Sequence, residues 1–149
     1  MPPDVRVRRA GPDDVARVVP LFGAYREFYR QAPDPETERS FLADRIARNE
    51  AVVFLAEVDG TAVGFTLLYP AFSSISLRPI WILNDLFVEP SHRRQGIGAQ
   101  LLARATEFAR EGGADYLTLE TAKDNPAQRL YEAEGWRRDE EFLHYDRRT

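Results

Sequence analysis

Three kinds of residue in this chain could do chemistry together: a glycine pair beside two arginines, a tyrosine, and a few carboxylates. The string Arg93-Arg94-Gln95-Gly96-Ile97-Gly98-Ala99 follows the apolar run Ile80 to Val88 and a short polar turn, Glu89-Pro90-Ser91-His92. That order predicts a strand, a turn and a helix opening near Gly96. A helix start leaves its first N–H groups without partners and gathers partial positive charge, so it suits a phosphate. Gly96 and Gly98 lack a Cβ, which lets a bulky anion close on the backbone, and Arg93 and Arg94 offer charged, forked donors. A plain turn with two basic surface residues fits the same string, as does the opening of a dinucleotide-binding fold. Against the latter, Leu101 occupies the place of the third glycine and no βαβ unit starts the chain.

The chain has 149 residues, enough for a single domain over 1–149 with a sizeable core and too few for two ordinary domains. An apolar fraction of 44% and a charged fraction of 30% describe a folded, soluble protein. With no cysteine there is no disulfide and no thiolate metal site, and two separated histidines argue against zinc, so no metal is expected. No stretch approaches the ~20 consecutive apolar residues of a membrane span, and the N-terminus carries no apolar signal region. No membrane partner is expected, and a cytoplasmic location follows as the default. The net charge of −4 argues against nucleic acid as a partner.

The elements that must position these residues can be read in order. Val5 to Arg8 alternates like a half-buried strand. Gly11-Pro12-Asp13-Asp14 then supplies turn and cap chemistry, and Val15, Val18, Val19, Phe22, Tyr25 and Phe28 recur at helical spacing. Pro20 lies inside that pattern and is expected to kink or split the helix. Beyond Ala32-Pro33-Asp34-Pro35, a second helix carries Phe41, Leu42, Arg45, Ile46 and Asn49 on successive turns. Ala51 to Val58 and Thr61 to Tyr69 read as antiparallel strands joined by the hairpin signal Asp59-Gly60. After the glycine-rich turn, Ile97, Leu101, Leu102, Ala105, Phe108 and Ala109 line a helix that Gly112-Gly113 ends. A strand over Tyr116 to Thr121, a short helix from Pro126 to Gly135, and a final strand over Phe142 to Tyr145 complete the order.

The Arg93 to Gly98 string resembles the pyrophosphate-binding signature of the GNAT superfamily of N-acetyltransferases, Arg/Gln-x-x-Gly-x-Gly/Ala, set between a strand and a helix. Downstream, the run from Asp124 through Asn125, Tyr131, Gly135 and Trp136 is similar to that family's second signature, Asn-x-x-(Ala)-x-x-x-Tyr-x-x-x-Gly-Phe/Trp. The small polyamine and histone type acetyltransferases are nearest in character. The resemblance implies an α/β (α+β) GNAT fold: one mixed, mostly antiparallel sheet of six to seven strands, splayed between the fourth and fifth, flanked by about four helices. It implies acetyl-CoA as cosubstrate, its pyrophosphate over the N–H groups of Gln95, Gly96, Ile97, Gly98 and Ala99, and its pantetheine arm along Leu86, Phe87 and Val88. It also implies a homodimer joined through the C-terminal strand.

Further roles follow from the same resemblance. The Leu86 N–H is placed to polarise the thioester carbonyl. Tyr131 is the expected general acid, protonating the departing sulfur, with a core aromatic of the last helix as the alternative. Asn125 corresponds to a residue that hydrogen-bonds the cofactor, and it also suits a helix N-cap. Relatives commonly carry a glutamate base at the positions of Ile82 or Asn84, and neither residue here is an acid. Asp85 or Glu120 acting through water remain as bases, or no dedicated base at all. Asp85 points away from the Ile82 and Asn84 face unless a β-bulge re-aims it. The acceptor is expected to meet Tyr25, Glu27 and Tyr29 with Asn84 and Asp85, where aromatic rings and carboxylates can hold an ammonium; a solvated amphipathic face explains Tyr25 to Tyr29 equally well. His92 and His144 read as turn and strand residues. The implied activity is acetyl transfer from acetyl-CoA to a primary amine, polyamine-like or lysine-type, by direct attack. The rival is a CoA-binding sensor or scaffold without turnover, which the absent strand glutamate keeps open.

Overall fold

Alternating side chains and turn residues build the first half of the chain as expected. In the computed structural model, which describes residues 4–149, β1 (Val5–Arg9) is followed by a 3₁₀ turn, Pro12–Asp14, and then by helices α1 (Val15–Phe28) and α2 (Pro35–Ala47). Strands β2 (Val52–Val58), β3 (Thr61–Ser73) and β4 (Arg78–Val88) come next. Helix α3 (Ile97–Glu111), a two-residue β5 (Leu117–Thr118) and the short α4 (Gln128–Ala133) complete the regular structure. The sheet has five strands in spatial order β1 to β5, antiparallel through β4 and parallel from β4 to β5.

Each face of the sheet buries its own cluster. Val18, Leu21 and Phe22 of α1 and Leu42 of α2 pack on Val53, Leu55, Phe65, Leu67 and Phe87. On the other face Ile97, Leu101, Leu102 and Ala105 of α3 cover Val52, Phe54, Val63, Leu68 and Leu83. Strand β2 is therefore buried on both sides, which is why its sequence is a continuous apolar run. The turn between β2 and β3 has Asp59 at φ 51° and Gly60 at φ 76°, the left-handed pair that a tight hairpin needs.

Three expectations are corrected. Pro20 does not split α1. It forfeits only the bond to the Ala16 carbonyl; Ala16 and Pro20 are both exposed, so water meets that group, while Val18, Val19, Leu21 and Phe22 hold the helix to the core. The strand expected over Tyr116 to Thr121 shrinks to two residues, and no strand forms over Phe142 to Tyr145, so the sheet has five strands instead of six or seven. A two-rung ladder offers too little edge to template a further strand. Phe142, Leu143 and Tyr145 are left 78%, 82% and 84% exposed.

The position of α1 on the sheet is set by charge as well as packing. Glu57, only 7% exposed, accepts from Arg8 Nε at 2.5 Å and from Arg17 Nη2 of α1. Arg17 also donates to the Gly60 carbonyl at 2.6 Å, and Arg8 bridges to Asp14 at 2.7 Å. Burial works against the ionisation of Glu57, but the two guanidinium partners outweigh it and lower its pKa. Hydrogen bonding from Arg8 brings Asp14 down to about 2. Replacing Glu57→Gln leaves two guanidinium groups short of a counter-charge. Chemical denaturation should show a loss of about 2 kcal/mol, below the ~3–5 kcal/mol of a fully buried pair, because Arg8 and Arg17 remain 27% and 35% exposed.

Candidate active site

The site begins where two strands part. β4 pairs with β5 only at Trp81 with Leu117 and Ile82 with Thr118, so Leu83 to Val88 have no strand on that edge among the described residues. A cleft of about 620 Å³ lies beyond, walled by β4, the start of α3, α4 and the C-terminal turn of α1. Carbonyls on the open edge are met by side chains instead: Tyr25 Oη donates to the Asn84 carbonyl at 3.1 Å, and Arg93 Nε to the Val88 carbonyl at 2.8 Å.

A β-bulge in β4 sets which side chains face which way. Leu67 pairs with Asp85 and Leu68 with Leu83, which leaves Asn84 as the extra residue. Leu83 therefore faces α3, whereas Asp85, two residues on, faces α1 with Phe87. The condition on which Asp85 could join the acceptor face is met. Thr66 Oγ1 donates to the Asp85 carbonyl at 2.8 Å and satisfies it at the kink. The carboxylate is 2% exposed and accepts from Asn84 Nδ2 at 2.7 Å. Burial pushes its pKa up to about 6, against the hydrogen bond from Asn84 and the nearby Tyr25 hydroxyl, which pull it down. Burial also raises Tyr69, to about 12, with the nearby Asp85 charge adding to it.

At the other end, α3 opens from Gly96 at φ 80°, and Arg94 also has positive φ, 63°. The first helical bond runs from the Gln100 N–H to the Gly96 carbonyl at 3.1 Å, so the amides of Ile97, Gly98 and Ala99 precede any acceptor in the helix. The two glycines have different reasons. Gly96 is needed for its left-handed backbone, with open space where a Cβ would stand, while a Cβ on Gly98 would meet Leu130 Cδ2 at 2.9 Å. Arg93 is partly committed to Val88, with its guanidinium carbon 5.5 Å from the Phe87 ring centre; Arg94 has no hydrogen bond or ion pair among the described residues. This charged, amide-rich end fits a diphosphate.

Helix α4 brings the second group of residues. Asn125 Oδ1 accepts from the Ala127 N–H at 2.9 Å in the turn ahead of α4, a contact that leaves its amide N–H groups for a ligand. Tyr131 lies against Trp136, ring centres 6.3 Å apart, and lines the cleft; no hydrogen bond engages its hydroxyl among the described residues. Burial raises its pKa to about 12, so it is a neutral phenol at physiological pH. Glu120 also lines the cleft, but its side chain is 77% exposed and lies 3.3 Å from His144, which is not in a strand.

Of the residues singled out by sequence, Tyr25, Tyr29, Asn84, Leu86, Phe87, Val88, Arg93, Arg94, Gly96, Ile97, Gly98, Ala99, Glu120, Asn125 and Tyr131 meet on this one cleft. Gln95 and Glu27 are exposed and do not line it, and Asp85 stands behind Asn84 and Tyr25. Sequence reading had Phe28 inside the acceptor stretch Tyr25 to Tyr29 without naming it as a contact, and it missed His92 and Arg129 as cleft residues. For Phe28 a signal was present, since Tyr25, Phe28 and Tyr29 stand at i, i+3 and i+4 on one helix face. Among the described residues no cluster of His, Asp or Glu could hold a metal ion, and no helix is long and apolar enough to cross a membrane.

Comparison with known proteins places the chain in a family. Residues 19–136 match the model of the acetyltransferase (GNAT) family. Over 142 residues the chain is 46% identical to the uncharacterized N-acetyltransferase YhfO of Bacillus subtilis, covering 95% of each. It is 27% identical over 115 residues to an aminoglycoside N(6')-acetyltransferase type 1 of Salmonella typhimurium, covering 74% of this chain and 76% of that one. A crystal structure of a probable acetyltransferase superposes with a TM-score of 0.92 at 41% identity, covering 97% of both chains.

The burial of Asp85 has a cost that pH exposes. Its folded carboxyl holds a proton up to about pH 6, whereas the unfolded group releases it near the ordinary value of 3.8. Stability should therefore fall between about pH 4 and 6 and then stay level. Asp85→Asn should remove that slope and raise stability at pH 7.5 by roughly 2–3 kcal/mol, read from denaturation midpoints across pH 4 to 8.

Proposed function

The chain belongs to the acetyltransferase (GNAT) family and is an acyltransferase, and from that premise we propose that it moves the acetyl group of acetyl-CoA to a primary amine by direct attack. The observation that carries this reading is the meeting, in one cleft, of free helix-start amides, the open edge of β4 and the unengaged Tyr131 hydroxyl. Polyamine-like and lysine-type acceptors, favoured by the sequence resemblance, are primary amines, and the Salmonella relative is named for aminoglycosides.

Acetyl-CoA supplies the acetyl group as a reactive thioester. The amides of Ile97, Gly98 and Ala99 hold its diphosphate with Arg94, the open edge from Leu86 to Val88 meets the arm, and Asn125 uses its free amide N–H groups. The Leu86 N–H polarises the carbonyl oxygen. An alkylammonium arrives with a pKa near ~10.4 and must lose a proton before it attacks. Asp85 takes that proton through water; its value of about 6 suits a base at neutral pH. Glu120, exposed and paired with His144, is less well set for the task. The amine nitrogen then bonds to the carbonyl carbon as the C–S bond breaks. Tyr131 gives its proton to the sulfur, and the second proton of the nitrogen returns through water to restore the phenol. A chain without cysteine cannot pass the acetyl group through a thiol of its own.

Tyr131→Phe should lower kcat about 10²-fold while calorimetry still detects CoA binding. Binding by the unaltered protein with no transfer to any amine would favour the sensor reading. In the unaltered enzyme kcat should fall as pH drops through about 6, because a protonated Asp85 cannot accept, and Asp85→Asn should remove that inflection.

A homodimer is part of the same proposal. It is supported by the open outer edge of β5 and by the exposed Phe142, Leu143 and Tyr145, an apolar run left uncovered by the chain. Light scattering should report a dimer for the unaltered protein and a monomer for the double variant Phe142→Glu, Leu143→Glu.

A further inference from the structure

The acceptor end of the cleft has a composition that narrows the amine, granted the reading above that a primary amine is acetylated there. Tyr25, Phe28 and Tyr29 form a continuous aromatic wall: the Tyr25 and Tyr29 ring centres are 5.0 Å apart, and Phe28 meets Tyr29 edge-on at 5.2 Å and 81°. Phe28 and Tyr29 are 52% and 40% exposed, so the outer part of the wall faces solvent. It is nevertheless rigid. Tyr25 is anchored by its hydroxyl on the Asn84 carbonyl and by edge contact with Phe65 at 6.0 Å. The helix end that bears it is pinned by Arg26 to the buried Glu38 at 2.7 Å.

Charge along the cleft runs the other way from what a polycation needs. Among the described residues Glu120 is the single carboxylate lining it, and it already faces His144, whereas Arg93, Arg94 and Arg129 are cationic. Asp85 is screened behind Asn84 and Tyr25 and answers one ammonium at most. A second or third ammonium, as on spermidine or an aminoglycoside, would find on the cleft wall only Glu120, already facing His144, while the basic end is taken up by the acetyl-CoA diphosphate in the reading above. A flat apolar group, by contrast, would cover rings that now face water, and aromatic rings gain from edge and offset contacts with another ring.

We propose that the acceptor is a primary monoamine carried on a flat apolar body, of the arylalkylamine class, with its ring against Tyr25, Phe28 and Tyr29 and its nitrogen at the Asn84 bulge. The polyamine-like acceptor suggested by the sequence resemblance is the competing outcome.

The test uses the full chain with acetyl-CoA, following CoA release with phenethylamine, tryptamine, ethylamine, spermidine and Nα-acetyl-lysine, together with calorimetry of phenethylamine in the presence of CoA. Phenethylamine and tryptamine should exceed spermidine and Nα-acetyl-lysine in kcat/KM by about tenfold or more. Phe28→Ala, on a half-exposed ring whose loss leaves the core intact, should cut the preference for phenethylamine over ethylamine about tenfold. Equal or faster turnover of spermidine or Nα-acetyl-lysine overturns the proposal and leaves the amine-acceptor reading standing, as does a preference that Phe28→Ala does not move. Calorimetric binding of phenethylamine that weakens in Phe28→Ala, with no transfer to any amine, supports the aromatic subsite and overturns the amine-acceptor reading. Neither binding nor transfer overturns both.

Discussion

One extra residue in β4 governs the site. Without the bulge at Asn84, strand alternation would leave Asp85 on the Leu83 side, against the packed face of α3, where a carboxylate has no partner. With it, the same residue turns to α1, accepts from the Asn84 amide and lies near Tyr25, whose hydroxyl bonds the Asn84 carbonyl. The kink frees a carbonyl that must be satisfied, and the fully buried Thr66 does this from the neighbouring strand. The bulge thus places a carboxylate, an amide and a phenol at the point where the sheet opens.

The second constraint is the early parting of β4 and β5. A longer parallel ladder would consume the edge from Leu83 to Val88 in strand pairing and close the cleft. Because the ladder stops after two rungs, α4 can lean in, bringing Asn125 and Tyr131 opposite β4 and pressing Leu130 onto Gly98. That contact couples the two signature stretches: the small residue at the start of α3 is also what admits the helix bearing the tyrosine. The same early ending leaves the C-terminal stretch without a strand partner among the described residues.

Charge is distributed by purpose. The Arg8, Asp14, Arg17 and Glu57 network is nearly balanced and lowers its own carboxylate pKa values, so it holds α1 to the sheet at neutral pH. Asp85 is the reverse case, a carboxylate kept in the fold although burial opposes its ionisation.

Sequence alone was enough for the elements whose signals are local. The Asp59-Gly60 hairpin, the start of α3 at Gly96, the end of α4 at Gly135 and the apolar stripes of the helices rest on backbone preference and periodicity, which short stretches carry in full. Most of the local geometry at the basic end of the cleft was legible for the same reason, since a glycine-rich turn and the helix start after it are contiguous. What tertiary structure decided is whatever depends on a neighbour in space: the facing of Asp85, the commitment of Arg93 to Val88, the exposure of Glu120, the recruitment of Phe28 and the missing last strand. A strand's register, and so the side to which each residue points, is set by its partner strand, and no periodicity within β4 records that Leu67 and Leu68 straddle an extra residue.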